Sequence, residues 1–228
     1  MKLPRGRMTN GLALATLAVF LVTWALGQID YAAVVAGFVP ARISNPVAFA
    51  HALGAVSVPF WLTPLSATLI HGGWMHIGFN MLMLVFCGRH VEHVLGAKLM
   101  LVLYVAGAYA AAAAEWVLDP GAMSPMVGAS GAISALLGTY ALMYSHQQVR
   151  AVGPFSANVV RIAWLAAGWT AIQLMIGLAT MGGTDALGDG VGQIAVGAHV
   201  GGFIAGLLLT RPILHWRFRN GPRSLNKL

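Results

Sequence analysis

The sequence predicts an all-α polytopic membrane protein, with six transmembrane helices and a long membrane-associated segment between the first and second. Three observations carry that prediction. The chain of 228 residues is 58% hydrophobic and only 8% charged, whereas a soluble domain carries about 25% charged residues. Several apolar runs approach the roughly 20 residues that cross a hydrocarbon core about 30 Å thick. Those runs are continuous rather than alternating, and lipid admits only helices or closed barrels because every backbone group must be satisfied internally.

The spans are expected at about 11–30, 75–94, 97–117, 129–146, 160–180 and 195–213. Residues 1–10 then form a cytoplasmic N-terminus, 11–213 the membrane domain and 214–228 a basic cytoplasmic tail. The basic start before the run from Leu12 to Leu26 resembles a signal peptide; an uncleaved first span is expected, because the run is long and further spans follow. The segment from Phe38 to Gly73 is apolar in part. Pro46, Pro59 and Pro64 interrupt it, and proline disrupts a helix interior. It is therefore read as interfacial or re-entrant.

Charge placement supports the six-span count. With the N-terminus inside, Lys2, Arg5, Arg7, Arg89, Lys98, Arg150, Arg161, Arg211, Arg217, Arg219, Arg223 and Lys227 all fall on the cytoplasmic side, and only Arg42 falls outside. An extra span within 38–73 would reverse the later loops and break the positive-inside rule. The net charge of +7 is thus explained by topology, and no nucleic-acid partner is expected. Cys87, the one cysteine, lies in an apolar run and is read as a core residue.

Ionisable and polar groups inside spans are costly, and each is a functional hypothesis. His76 and Asn80 begin span two, Ser130 opens span four and His199 lies a turn into span six. All four reach a similar depth at the outer end of the bundle. His76 and Asn80, four residues apart, share a helix face. Ser130, Gly131, Ser134, Gly138 and Ala141 fall within roughly a quarter turn of one another. Gly202 and Gly206 form a small-xxx-small pair on the His199 side, which lets two backbones approach closely.

Such an approach is what a serine needs to meet an imidazole on another helix. A hydroxyl is a weak nucleophile until a base takes its proton, and neutral histidine suits that task. Asn80, His76 and the backbone N–H groups around Ser130, Gly128 included, are candidate donors to an oxyanion. No Asp or Glu is identified in a span near His199, so the reading is a dyad. Each group taken singly has a plainer role: a serine at a helix start caps it, and a membrane histidine packs or relays protons. A haem site on His76 and His199 would leave Ser130 and Asn80 idle. Neither an HExxH metal motif nor an aspartate pair within spans is found, and no metal or cofactor is expected.

These motifs resemble the rhomboid intramembrane serine proteases, over about Val39 to Leu209. Gly128-Ala129-Ser130-Gly131 looks like the family's GxSG nucleophile motif. Ala198-His199-Val200-Gly201-Gly202, with Gly206 beyond, looks like its histidine helix. The run from His71 to Asn80 is similar to its HxxxxHxxxN signature, and Glu92 with Gly96 resembles an element in which the glutamate is structural. The resemblance implies a rhomboid-like bundle with Ser130 as nucleophile, His199 as general base, and His76 and Asn80 at the oxyanion site. It implies a water-filled cavity opening outward, and single-span or other transmembrane proteins in the lipid bilayer as substrates, cut near their outer ends. Two features depart from the family: Ser134 stands where many members have an aromatic against the histidine ring, and Phe60-Trp61 has no adjacent arginine. The expected location is a plasma membrane, of the bacterial inner-membrane type, with both termini cytoplasmic.

Overall fold

The computed structural model describes residues 3–53, 57–144, 150–164, 167–168 and 196–219. Their regular elements are helices, with no β-strand among the described residues. In chain order the helices are α1 (Arg7–Ala25), α2 (Ile29–Ala36), α3 (Pro40–Ser44), α4 (Pro46–Leu53), α5 (Thr63–Ser66), α6 (Trp74–Met83), α7 (Arg89–Leu95), α8 (Ala97–Leu118) and α9 (Ser130–Met143). A tenth, α10, covers 157–164, and α11 runs Val196–Phe218. A π-helical turn, Leu84–Gly88, joins α6 to α7.

Three of these, α1, α8 and α11, are long and apolar enough to cross a bilayer, or four spans are counted if the bent pair Phe60–Leu69 and Trp74–Leu95, meeting at 91°, is one. The fifth expected span begins in α10 and, apart from 167–168, lies beyond Trp164 outside the described residues. Two boundaries differ from expectation. The first helix starts at Arg7 and stops at Ala25, because Gly27 takes φ +65 and turns the chain. The last continues through Phe218, so the basic tail begins as helix.

Between α1 and α6 the longest continuous helical run described is Phe60–Leu69, ten residues. Ten residues rise only about 15–20 Å, short of a hydrocarbon core of about 30 Å. Backbone bonds fasten the segment instead. Phe38 and Met126 exchange both hydrogen bonds, at 3.0 and 2.7 Å, and the Ala41 N–H donates to the Ala122 carbonyl at 3.1 Å. Arg42 is buried, and its Nη2 donates to the Val58 carbonyl at 2.8 Å. The loop before Ser130 is thereby tied to the segment after α1.

Helix α9 is the centre of the bundle. Every residue from Ser130 to Thr139 is buried, as expected for a helix surrounded on all sides. Small residues allow the enclosure. A Cβ on Gly107 of α8 would lie 2.5 Å from the Ala135 Cβ, and one on Gly131 would lie 2.5 Å from the Ala111 Cβ. On the other flank, a Cβ on Gly202 or Gly206 of α11 would strike the carbonyls of Gly131 and Ala135. Below that contact the Thr210 hydroxyl donates to the Gly206 carbonyl and lies 2.9 Å from the Thr139 hydroxyl.

Helix ends carry unpaired backbone groups, and charged side chains from neighbouring helices meet several of them. Glu92 accepts from the N–H groups of Met8 and Thr9 at 3.0 and 2.8 Å and from the Thr9 hydroxyl at 2.7 Å, at the start of α1. Arg217 Nε donates to the Val94 carbonyl at 3.2 Å, and Arg161 Nη2 to the Ala141 carbonyl at 3.0 Å, at the ends of α7 and α9.

Two predictions follow from this packing. Gly206→Ala should destabilise the fold by about 2 kcal/mol or more, because its Cβ meets backbone that cannot rotate away. Gly11→Ala, with nothing within 4 Å, should be neutral or mildly stabilising; thermal unfolding in detergent micelles compares the two. Glu92→Ala should cost about 3 kcal/mol in the same assay, since it strands the α1 N–H groups.

Candidate active site

Ser130 is the first residue of α9, and Ala129 before it occupies the cap position, where no side-chain capping bond forms. The Ser130 hydroxyl is therefore not spent on capping its own helix. Its Oγ lies 2.8 Å from His199 Nε2. The partners are 69 residues apart in sequence. The contact exists because α9 and α11 touch backbone to backbone at Gly202, less than one turn beyond His199. Ser130 is buried at 8% exposure, and His199 is partly buried. Ser134 fills the next turn and donates its hydroxyl to the Ser130 carbonyl at 2.8 Å. It thus packs the seam as a small residue, its Cβ 3.3 Å from where a Cβ on Gly202 would stand.

His76 reaches the same place from α6. A Cβ on Gly128 would lie 2.6 Å from His76 Nε2, so the ring rests against the loop two residues before Ser130. Gly128 also has φ +112, a conformation that disfavours any side chain. His76 Nδ1 accepts from the Gly72 N–H at 3.4 Å. That bond assigns the ring proton to Nε2, the atom facing Gly128. Asn80, one turn along, is buried; its Nδ2 donates to the His76 carbonyl at 2.9 Å, and its Oδ1 has no partner.

Gly128 differs from expectation in one respect. Its N–H donates to the Ala67 carbonyl at 2.8 Å, so that amide is committed and Gly128 contributes conformation and space rather than a donor. The Ala129 N–H is likewise directed to His71 Nε2, at 3.4 Å. The N–H groups of Ser130 and Gly131, in the first turn of α9, have no acceptor within their own helix.

Three groups near the site take roles that the sequence does not assign. His71 is fully buried, with its ring 4.9 Å from that of His76, and it buttresses the loop under Ser130. Gly197 and Gly201 form a second small-residue face of α11, set against Glu115, Ala110 and Ala114 of α8. Their four-residue spacing runs in the sequence beside that of Gly202 and Gly206. Glu115 corrects the expectation that no acid in a span lies near His199. It sits at the outer end of the expected third span, and its Oε2 accepts from the Ala198 N–H at 3.0 Å. Pairing it with α11 required knowing that α8 and α11 are neighbours. Among the described residues no group of three or more His, Cys, Asp or Glu is placed to hold a metal ion.

The Gly128 geometry is open to a double-mutant cycle. Gly128→Ala should destabilise the fold by about 1–2 kcal/mol through its positive φ and its contact with His76. In a His76→Ala background the loss should shrink to the backbone part alone, a coupling on the order of 1 kcal/mol read by thermal unfolding.

Comparison with known proteins identifies the family. A family model described as the Rhomboid domain matches residues 59–216. RHOMBOID-like protein 4 of Arabidopsis thaliana is 30% identical over 165 residues, covering 69% of this chain and 37% of that protein. Rhomboid-related protein 2 of Mus musculus is 37% identical over 76 residues, 33% of this chain and 24% of that protein. Rhomboid protease GluP of Bacillus subtilis is 37% identical over 84 residues, 37% of this chain and 16% of that protein. The matched parts span well under two thirds of each relative's own length. With most of its length under the family model, this chain is an integral membrane protein of the rhomboid family, a family of intramembrane proteases.

Proposed function

We propose that the chain is an intramembrane serine endopeptidase that cuts transmembrane segments of other membrane proteins near their outer ends. The observation that carries this reading is the 2.8 Å contact between Ser130 Oγ and His199 Nε2. A nucleophile and a base on separate helices, within proton-transfer distance and with the hydroxyl released from capping, have a chemical use that packing alone does not require.

In the proposed reaction His199 Nε2 takes the Ser130 proton as Oγ attacks a substrate carbonyl. Negative charge then develops on the carbonyl oxygen and needs donors already in place. The Ser130 N–H, the second hydrogen of Asn80 Nδ2 and His76 Nε2–H are the candidates. The N-terminus of α9 adds a partial positive charge at the same spot. His199 returns the proton to the leaving amine; water then attacks the acyl carbon as His199 takes its proton, and Ser130 Oγ departs and receives that proton, releasing the acid. The scheme uses no cofactor. Glu92, at the far end of the α6–α7 rod, takes a structural role.

Hydrolysis needs water at a site surrounded by lipid. Helix α9 has 14 residues and is about 21 Å long, short of the roughly 30 Å core. With its inner end at the cytoplasmic boundary, Ser130 lies below the outer surface, and a cavity opening outward follows. The proposed topology keeps six spans with both termini cytoplasmic, in a plasma membrane of the bacterial inner-membrane type. A substrate helix hides its carbonyls in hydrogen bonds, so cleavage is expected where small or helix-breaking residues let it unwind.

The test is cleavage of a single-span reporter in proteoliposomes. Ser130→Ala and His199→Ala should each lower turnover by about a thousandfold or more; undiminished cutting by either variant would overturn the assignment.

A further inference from the structure

We propose that Glu115 is a positioning residue for His199, setting the depth of the helix that carries the base by holding its first turn from α8. The inference rests on the dyad reading above.

Gly197 and Ala198 in the first turn of α11 are buried, where unpaired N–H groups are costly. Glu115 supplies the acceptor from another helix. Its Oε2 meets the N–H of Ala198, the residue directly before His199, at 3.0 Å. The approach is made possible by Gly197, where a Cβ would lie 2.7 Å from that same Oε2 and 3.3 Å from the Glu115 Cα. Gly201, one turn on, lies against the Ala110 carbonyl and Ala114.

The contacts around α11 divide the work. Gly202 and Gly206 face α9, Gly197 and Gly201 face α8, and the two seams bring the three backbones together. Glycine seams are smooth: they set how close two helices lie but resist sliding along the axis weakly. A directional hydrogen bond to Ala198 resists sliding directly. One residue of slip is 1.5 Å along the axis, enough to take His199 Nε2 out of reach of the Ser130 hydroxyl.

The alternative is that Glu115 merely stabilises the fold, as Glu92 does for α1. Three substitutions separate the two. Glu115→Gln keeps an acceptor oxygen at the same reach. Glu115→Asp keeps the charge but withdraws it by one methylene. Glu115→Ala removes both. With the full chain in proteoliposomes and a single-span reporter, Asp and Ala should lower kcat by on the order of 10- to 100-fold with little change in KM, and slow fluorophosphonate labelling of Ser130 in parallel. Gln should retain most of the wild-type kcat. Should Ala fail to fold, the Asp and Gln pair decides alone. Wild-type kcat in the Asp variant, or a Gln variant as slow as Asp, overturns the positioning role. A wild-type protein that neither cuts nor labels overturns the peptidase reading itself, and the positioning role falls with it.

Discussion

The backbone contact between α9 and α11 is the constraint on which the rest of the structure depends. Gly202 and Gly206 sit against the carbonyls of Gly131 and Ala135, where no side chain fits. In lipid no hydrophobic force drives helices together, so close packing and interhelical hydrogen bonds must do so. Here that packing has a chemical consequence. Serine is a short side chain, and only near-touching backbones let its hydroxyl reach an imidazole on the next helix. The burial of the whole upper part of α9, the small residues of α8 facing it and the Thr139–Thr210 contact below all serve the same approach.

A second regularity concerns charged side chains that meet helix ends. Glu92 and Glu115 accept from N–H groups in the first turns of α1 and α11. Arg161 and Arg217 donate to carbonyls in the last turns of α9 and α7. Acids stand at positive helix ends and bases at negative ones, as the helix dipole favours. Each of these charges comes from a different helix than the one it meets. They therefore fix helices relative to one another along their axes, which glycine contacts alone leave loose. The bond between Glu115 and Ala198 is the member of this set nearest the reacting pair.

Much of this was legible in the sequence, and the illegible part has a consistent cause. Ser130, His199, His76 and Asn80 stand out because polar groups in apolar runs need a reason, and the topology brings them to one end. Gly202 and Gly206 stand out by spacing. What could not be read was anything that depends on which helices are neighbours. Glu115 reads as a boundary residue until α8 is seen beside α11. Gly128 reads as a donor until its N–H is seen bound to Ala67. Likewise, the Phe38–Met126 pairing joins two segments that carry no matching pattern. Helix boundaries moved where local backbone preferences decided them, as at Gly27.

The central claim is that His199 activates Ser130. The most direct test is the rate of covalent labelling by a fluorophosphonate, with the modified residue located by mass spectrometry, in the wild-type chain and in a His199→Ala variant shown to be folded. The account predicts labelling confined to Ser130 and slowed by about a thousandfold without the imidazole. Equal rates in the two proteins, or a label on another residue, would contradict it.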